Sequence, residues 1–241
     1  MKAFSITDIG ERRRINQDYV FCSDDAIGKL PNLFIVADGM GGHNAGDYAS
    51  RFCVETFTEI IEKIEVSQPV GAMSQGILLT NEKLLKEADS RPELKGMGTT
   101  FVVATVINNN LYVANVGDSR LYLIRNKNIR QITEDHSLVE EMVKNGEIER
   151  DKMRFHPNKN IITRALGAGE SVIPDYFEVE LSPEDVVLMC SDGLSNMMDD
   201  MDILSIVNRY NEDLKSACLE LVNKANENGG KDNISVVMLK L

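Results

Sequence analysis

The chain has 241 residues, of which 43% are hydrophobic, so it is long enough and apolar enough to form one large domain over residues 1–241. Its formal net charge of −12 disfavours binding to nucleic acid or to an anionic membrane surface, whose phosphates would repel it. No run approaches the roughly 20 apolar residues that cross a bilayer, and the N-terminal residues lack the apolar core of a signal peptide, so we expect a monomeric cytoplasmic protein without nucleic-acid or membrane partners.

The cysteines are few and far apart. Cys22, Cys53, Cys190 and Cys218 contain no C-x-x-C pair, and three of them lie in apolar patterns typical of core positions. We expect reduced, buried thiols rather than a zinc site.

The first elements in chain order are two strands. Residues 2–8 and 19–22 have strand-like patterns, and Asp18 lies at the boundary of the second. The three consecutive arginines at 12–14 are typical of a solvated surface run. Beside a cluster of carboxylates, one of them could instead hold a phosphate.

The stretch at residues 33–43 is the most informative part of the sequence. Its apolar run predicts a buried strand that stops at Asp38 and passes into the glycine-rich segment 39–43. A charged side chain at the end of a buried strand has to be solvated, paired or bound to metal. The dinucleotide-binding pattern G-x-G-x-x-G fails because Asn44 holds its last position, so we expect the glycines to turn the backbone around an ion.

Two helices and a series of strands follow. Apolar residues at helical spacing predict helices at 46–64 and at about 70–88. The strand-like runs are 101–107, 111–116, 121–124 and 129–132. Because short turn signals separate these runs, we predict an antiparallel meander, which excludes a purely alternating βαβ chain.

The last part of the chain mixes all three kinds of structure. Residues 134–146 predict a short helix, with Asp135 or Ser137 as its N-cap and Gly146 as its end. Residues 147–172 show no sustained period and predict a mobile surface segment, whose part at 147–170 is called the flap below. The remaining expected elements are strands at 176–181 and 186–190, helices at 199–210 and 214–226, and a final strand at 234–241.

Aspartates recur at the boundaries of the predicted strands. They are Asp18, Asp38, Asp118, Asp192 and Asp232. If the strands share one sheet or two packed sheets, these carboxylates converge on a small volume, where cations would have to offset their repulsion. Oxygen ligands suit Mg²⁺ or Mn²⁺ rather than zinc, and two such ions can activate water for displacement at phosphorus. Any one of these aspartates is more often a turn residue, so only the recurrence favours a metal site.

Six motifs occur in one order along essentially the whole chain. They are Arg13-x-x-Asn16-Gln17-Asp18, residues 36–43, Gly98-Thr99-Thr100, residues 116–120, Ser191-Asp192-Gly193-Leu194 and Lys231-Asp232-Asn233. In this combination the sequence resembles the type 2C metal-dependent protein serine/threonine phosphatases, particularly their compact bacterial members. The resemblance implies an α+β fold with two packed antiparallel β-sheets flanked by helix pairs, a four-layer αββα sandwich, and metals at one end.

The same resemblance implies roles around a pair of Mn²⁺ or Mg²⁺ ions. Asp38 would bridge both ions, and Gly39 would offer its carbonyl oxygen. Asp192 and Asp232 would complete the shell of one ion. Asn233 would orient Asp232 through a hydrogen bond.

Further roles follow from the resemblance for residues around this pair. Asp18 would act on the ions directly or through water, and Asp118 would join Asp192 in a third, weaker metal position. Arg13 would hold the substrate phosphate, because a guanidinium can meet two phosphate oxygens at once. His43 is the candidate general acid; the alternatives are that water takes this role or that His43 is mainly structural.

The sequence therefore predicts a phosphoprotein phosphatase that hydrolyses phosphoserine and phosphothreonine with a metal-activated water. Its expected partners are phosphorylated proteins and a bacterial Ser/Thr kinase that it opposes. Two alternatives stay open: a metal-dependent phosphatase of small phosphoesters, and a non-catalytic regulator that binds phosphoproteins on the same fold. The intact set of aspartates argues against the regulator.

Overall fold

The computed structural model describes residues 1–41, 45–210 and 213–241. These residues form eleven strands and six α-helices. The strands are β1 Lys2–Asp8, β2 Asp18–Ser23, β3 Leu33–Met40, β4 Gly98–Thr99, β5 Phe101–Ile107, β6 Asn110–Val116, β7 Arg120–Arg125, β8 Asn128–Gln131, β9 Asp175–Glu180, β10 Val186–Cys190 and β11 Ile234–Lys240. The helices are α1 Ala45–Lys63, α2 Pro69–Ser90, α3 Leu138–Lys144, α4 Asp192–Ser195, α5 Asp200–Tyr210 and α6 Leu214–Glu227.

The strands form two antiparallel sheets. One has the order β1-β11-β10-β7-β8, and the other has the order β2-β3-β5-β6-β9, with the short β4 paired to β3. Apolar side chains from both sheets meet in one buried cluster, which includes Phe34 and Val102 from one sheet and Val187 and Val237 from the other. The two sheets therefore pack face to face.

A helical layer covers the outer face of each sheet. Helices α1 and α2 pack on the sheet that contains β3, and α5 and α6 pack on the sheet that contains β11. In β3, Phe34 and Val36 face the other sheet, whereas Ile35 faces the helices. A strand buried on both faces has a continuous apolar run, which is the pattern that predicted it. The expected α+β sandwich with αββα layers is confirmed.

The predicted meander over residues 101–132 is wrong. Strands β5 and β6 pair with each other in one sheet, whereas β7 and β8 pair in the other. The segment 117–119 therefore crosses between the sheets, and the turn at 182–185 does the same between β9 and β10. Turn residues mark a change of chain direction, but they do not specify which strand becomes the neighbour.

The helix predicted at 134–146 is shorter than expected. It begins after Ser137, whose side chain accepts the N–H of Glu140 as an N-cap. The carboxylate of Asp135, the other candidate cap, instead accepts hydrogen bonds from two guanidinium nitrogens of Arg120 and from the side-chain amide of Gln131. A carboxylate that neutralises a partly buried arginine is not free to cap a helix.

The segment 147–172 contains a 3₁₀ helix at Arg150–Phe155 and is tied to the sandwich at two isolated bridges. One bridge pairs Ser137 with Ile162, and the other pairs Thr99 with Leu166. All four cysteines are free, and three are buried, as predicted. No helix within the described residues is long and apolar enough to cross a bilayer.

Candidate active site

The centre of the candidate site lies where β2 and β3 pair. Asp18 and Asp38 are directly opposite each other in the antiparallel register. The backbone of Asp38 is fixed by the neighbouring chain, because its N–H donates to Thr100 Oγ1 at 2.9 Å and its carbonyl accepts from Thr99 Oγ1 at 2.9 Å. The carboxyl group of Asp38 is thus attached to a rigid part of the backbone near the end of β3.

A serine joins the two sheets beneath this pair. Ser191 follows β10 in the other sheet, and its hydroxyl donates to Asp18 Oδ2 at 2.7 Å. The same hydroxyl accepts the N–H of Ser235 at 3.0 Å, which fixes its orientation. This link holds one carboxylate oxygen of Asp18, whereas Oδ1 is buried and has no hydrogen-bond partner within the described residues.

Asp192 and Asp232 come from adjacent strands of the second sheet. Asp192 opens α4, and its Oδ2 accepts from the side-chain amide of Asn196 at 2.8 Å. Gly193 allows these strand ends to meet, because a Cβ built at this position would lie 1.9 Å from the carbonyl oxygen of Asn233. The glycine in the Ser-Asp-Gly motif is therefore required for close backbone approach.

Asn233 holds the N-terminal loop against this edge. Its side-chain amide donates to the carbonyls of Ile9 and Ile15 at 2.9 and 3.0 Å, and its Oδ1 accepts from the N–H of Gln17 at 2.9 Å. As a result Arg13, in the same loop, donates to Asp232 Oδ2 at 2.7 Å. One asparagine thus brings the candidate phosphate-binding arginine to the carboxylate cluster.

Asp118 lies in the segment 117–119, which crosses between the two sheets. It is 7% exposed and follows Gly117, whose φ of +109° favours glycine. His136 fixes this turn by two hydrogen bonds. Its ring Nδ1 accepts from the backbone N–H of Gly117 at 3.1 Å, and its backbone N–H donates to the Gly117 carbonyl at 3.0 Å. Asp118 Oδ1 is buried and has no hydrogen-bond partner in the described part of the chain.

The five carboxyl groups affect one another electrostatically. Burial raises the pKa of Asp18 to about 7, and repulsion by Asp192 and Asp232 contributes to the rise. The hydrogen bond from Ser191 has the opposite effect and lowers this pKa. Burial and then repulsion by Asp232 raise the pKa of Asp192 to about 6. The pKa of Asp38 is raised by burial and by the other four aspartates. Such a cluster is stabilised by bound cations.

The donor set fits hard divalent cations. The Oδ1 atoms of Asp18, Asp118 and Asp192 are buried and have no hydrogen-bond partner among the described residues, which is costly unless something else satisfies them. Oxygen-only ligands suit Mg²⁺ or Mn²⁺. Within residues 1–41, 45–210 and 213–241, no three His, Cys, Asp or Glu side chains are arranged to hold an ion by themselves. Water and backbone carbonyls would have to complete each shell, as Mg²⁺ prefers.

Gly39 lies at the end of β3, where its N–H donates to the Gln17 carbonyl at 3.0 Å. A Cβ at this position would lie 2.0 Å from the carbonyl oxygen of Gly46, so only glycine lets β3 approach the start of α1 so closely. His43, the candidate general acid, lies outside the described residues.

Sequence reasoning missed several residues that shape the site. A cavity of about 220 Å³ adjoins Asp118 and Asp192, and flap residues Arg154 and Lys159 line it together with Asn196. Asn196 could have been anticipated, because it follows Asp192 by four residues, the spacing of side-chain neighbours on a helix. No comparable spacing in the sequence indicates that the flap residues Arg154 and Lys159 line the site.

Comparison with known proteins agrees with this geometry. The family described as Protein phosphatase 2C matches residues 3–234. A serine/threonine phosphatase, stp, from Listeria innocua is 40% identical over 97% of this chain and 93% of its own. A serine/threonine phosphatase of S. agalactiae has a TM-score of 0.91 at 35% identity and 98% coverage of both chains. The catalytic domain of PstP, solved with two manganese ions, has a TM-score of 0.85 at 29% identity, covering 98% of this chain and 96% of its own.

Proposed function

The chain belongs to the protein phosphatase 2C family and is a metal-dependent protein serine/threonine phosphatase, and from this premise we propose that two Mn²⁺ or Mg²⁺ ions occupy its aspartate cluster. The observation that carries the proposal is the set of buried carboxylate oxygens at Asp18, Asp118 and Asp192 that have no hydrogen-bond partner in the described parts of the chain. The two manganese ions of the related PstP structure also support it.

We assign the ligands as follows. Asp38 lies at the centre, where the four other aspartates repel its carboxyl group, and it would hold both ions. Gly39 contributes its carbonyl, and Asp192 and Asp232 belong to one of the two shells. Asp18 acts directly or through water. These assignments follow the resemblance to the phosphatase family, and the electrostatic proximity of the side chains and the chemistry of oxygen donors support them.

Asp118 and Asp192 form the candidate third, weaker position. Both line the same cavity, and each has one carboxylate oxygen without a hydrogen-bond partner in the described part of the chain. Their mutual repulsion raises the pKa of Asp118 in addition to the effect of burial. A cation between them would relieve both costs.

When bound, the ions supply a water of lowered pKa and neutralise charge that develops on the phosphoryl oxygens. The protein itself positions the carboxylates that would hold the ions. Ser191 holds Asp18, Asn196 holds Asp192, and the backbone N–H of Asn233 holds Asp232 at 2.9 Å. Because hydrogen bonds hold these carboxylates, their geometry is set before the substrate arrives.

Arg13 is the proposed phosphate ligand. Within the described residues only its Nη2 forms a hydrogen bond, with Asp232 Oδ2, and 45% of its side chain is exposed. A guanidinium has five N–H donors, so the remaining ones can meet phosphate oxygens while this contact persists.

Replacing Arg13 with alanine will raise KM for a phosphopeptide by about ten- to a hundredfold, because hydrogen bonds to charged groups contribute roughly 1.5–3 kcal/mol each. The affinity for manganese will change less. Steady-state kinetics at saturating Mn²⁺ and calorimetric titration of Mn²⁺ measure the two effects separately.

Arg14→Ala is the matched control, since Arg14 is exposed in the same loop. It should leave KM within about twofold of the original value. An unchanged KM in the Arg13 variant removes the phosphate-binding assignment.

The test of the overall proposal is phosphopeptide turnover during titration with Mn²⁺ and Mg²⁺, with a chelator as the control. We expect activity to need two bound ions and to vanish on chelation. A higher kcat/KM on small phosphoesters than on phosphopeptides would favour the small-molecule phosphatase. Absence of turnover on phosphopeptides and nitrophenyl phosphate in manganese would favour the binding regulator.

The cellular setting is also a proposal. A phosphoserine or phosphothreonine phosphatase needs a Ser/Thr kinase to produce its substrates, so we propose such a kinase as the opposing partner. Four free cysteines suit a reducing compartment such as the cytoplasm. A monomeric state remains a prediction.

A further inference from the structure

A chain of hydrogen bonds links the flap to a metal-ligand candidate. The ammonium group of Lys159 donates to Asn196 Oδ1 at 2.9 Å, and Asn196 Nδ2 donates to Asp192 Oδ2 at 2.8 Å. The Asn196 side-chain amide is planar, so the positions of its two ends are coupled. Arg154, also from the flap, donates to the backbone carbonyl of Asn196 at 3.3 Å. One flexible lysine thus lies a single amide group away from the carboxylate.

The same cavity contains two carboxyl groups that lack a full set of partners. Asp118 is 93% buried, since its exposed fraction is 7%, and its Oδ1 accepts no hydrogen bond from the described residues. Asp192 Oδ1 is in the same condition. Both side chains line the cavity together with Lys159. A nearby positive charge stabilises the ionised form of such a buried, repelling pair of acids.

Most other cations at the cavity are already neutralised. Arg120 is paired with Asp135, and Arg150 is paired with Glu140, each at 2.6 Å. Lys159 forms no ion pair within the part of the chain that the structure describes, but it lies within electrostatic range of Asp192. Arg154 also lines the cavity and forms no ion pair within the described residues, but of these two cations only Lys159 is linked to Asp192 through the side-chain amide of Asn196.

We propose that Lys159 is a tethered cation that competes with a third divalent ion for the Asp118–Asp192 pair, so that the position of the flap controls occupancy of that place. The proposal rests on the metal-binding function proposed above. When Lys159 lies near Asn196, its positive charge opposes entry of the ion. When a bound substrate draws the flap side chain away, the same carboxylates become available to metal.

The test is calorimetric titration of Mn²⁺ into the whole chain and into the Lys159→Met variant, which keeps the length of the side chain and removes its charge. We expect the two tight ions to bind equally well in both proteins. The third, weaker ion should bind about ten- to a hundredfold more tightly to the variant, because a neighbouring unit charge shifts such equilibria by one to two powers of ten.

Three variants make the result specific. Lys159→Arg keeps the charge and should retain the weak third affinity. Lys152→Met removes an exposed flap lysine that pairs with Glu149, so it should not affect the third ion. Combining Lys159→Met with Asp118→Asn should cancel the gain if the ion binds at the Asp118–Asp192 pair.

The inference fails if Lys159→Met leaves the third affinity unchanged, or if the gain survives Asp118→Asn. Failure of the original chain to bind two ions tightly is a different result, because it contradicts the proposed dinuclear function rather than the role of Lys159.

Discussion

Asp38→Asn will lower kcat for phosphopeptide hydrolysis by at least about a thousandfold. A single preorganised electrostatic contact is worth roughly a hundred- to a thousandfold in kcat, and Asp38 is the proposed bridge between both ions, which together supply the activated water. Asparagine has nearly the same shape but one charge fewer. The variant should therefore fold while losing the ability to hold the pair of ions at their productive separation.

The same substitution should stabilise the protein when a chelator is present. Burial and the neighbouring aspartates raise the pKa of Asp38, which means that its ionised form is unfavourable in the folded chain. Removing that charge removes the cost. We thus expect the activity to fall and the stability measured with a chelator to rise. Opposite changes of this kind are typical of a functional site that is maintained at a cost in stability.

Kinetics at saturating Mn²⁺ and urea unfolding in EDTA measure the two effects. Asp24→Asn neutralises an exposed aspartate just beyond β2 and serves as the control for loss of one negative charge. A variant at Asp38 that keeps more than about a tenth of the original kcat would contradict the bridging role, since a shared ligand cannot be dispensable.

The second large effect is a dependence of stability on pH that metal reverses. In the folded chain the pKa of Asp18 is about 7 and that of Asp192 is about 6, whereas an unfolded aspartate has a pKa near 3.9. Between about pH 4 and pH 7 the folded chain therefore binds more protons than the unfolded chain. Stability without metal must then fall as pH rises through this window, with no penalty below it and the full penalty above it.

The size of this effect is on the order of 3–4 kcal/mol for Asp18, which is 5% exposed, with a smaller part from Asp192, whose pKa is raised less. Bound Mn²⁺ should reverse the trend, because metal binds the ionised carboxylates and each of the two proposed ions stabilises the folded state by about 2.7 kcal/mol at a hundred times its Kd. Urea unfolding followed by circular dichroism at pH 5 and pH 7.5, with EDTA or with Mn²⁺, measures both.

Asp18→Asn is the matched variant for this prediction. It removes the group with the larger shift, so stability in EDTA should depend less steeply on pH than in the original chain. Equal stability at pH 5 and pH 7.5 in EDTA would show that the aspartates do not form a strained, cation-requiring cluster.

Local sequence patterns predicted much of the fold. The continuous apolar run at 33–37 predicted β3 as a strand buried on both faces, and helical spacing predicted α1, α2, α5 and α6. The aspartates were recognisable because each interrupts or borders an apolar run. Their convergence was an expectation from recurrence, and the structure brings Asp18, Asp38, Asp118, Asp192 and Asp232 into mutual electrostatic range.

The sequence by itself determined most of the elements, the oxygen-only chemistry of the candidate ligands and, through six ordered motifs, the family; β4 and α4 were not predicted. Only the tertiary structure decided which sheet each strand joins, and with it the contacts that organise the site. Ser191 and Asp18 are 173 positions apart, and Arg13 and Asp232 are 219 apart. Periodicity reports the burial of neighbouring residues along one segment, whereas these contacts depend on how distant segments pack together.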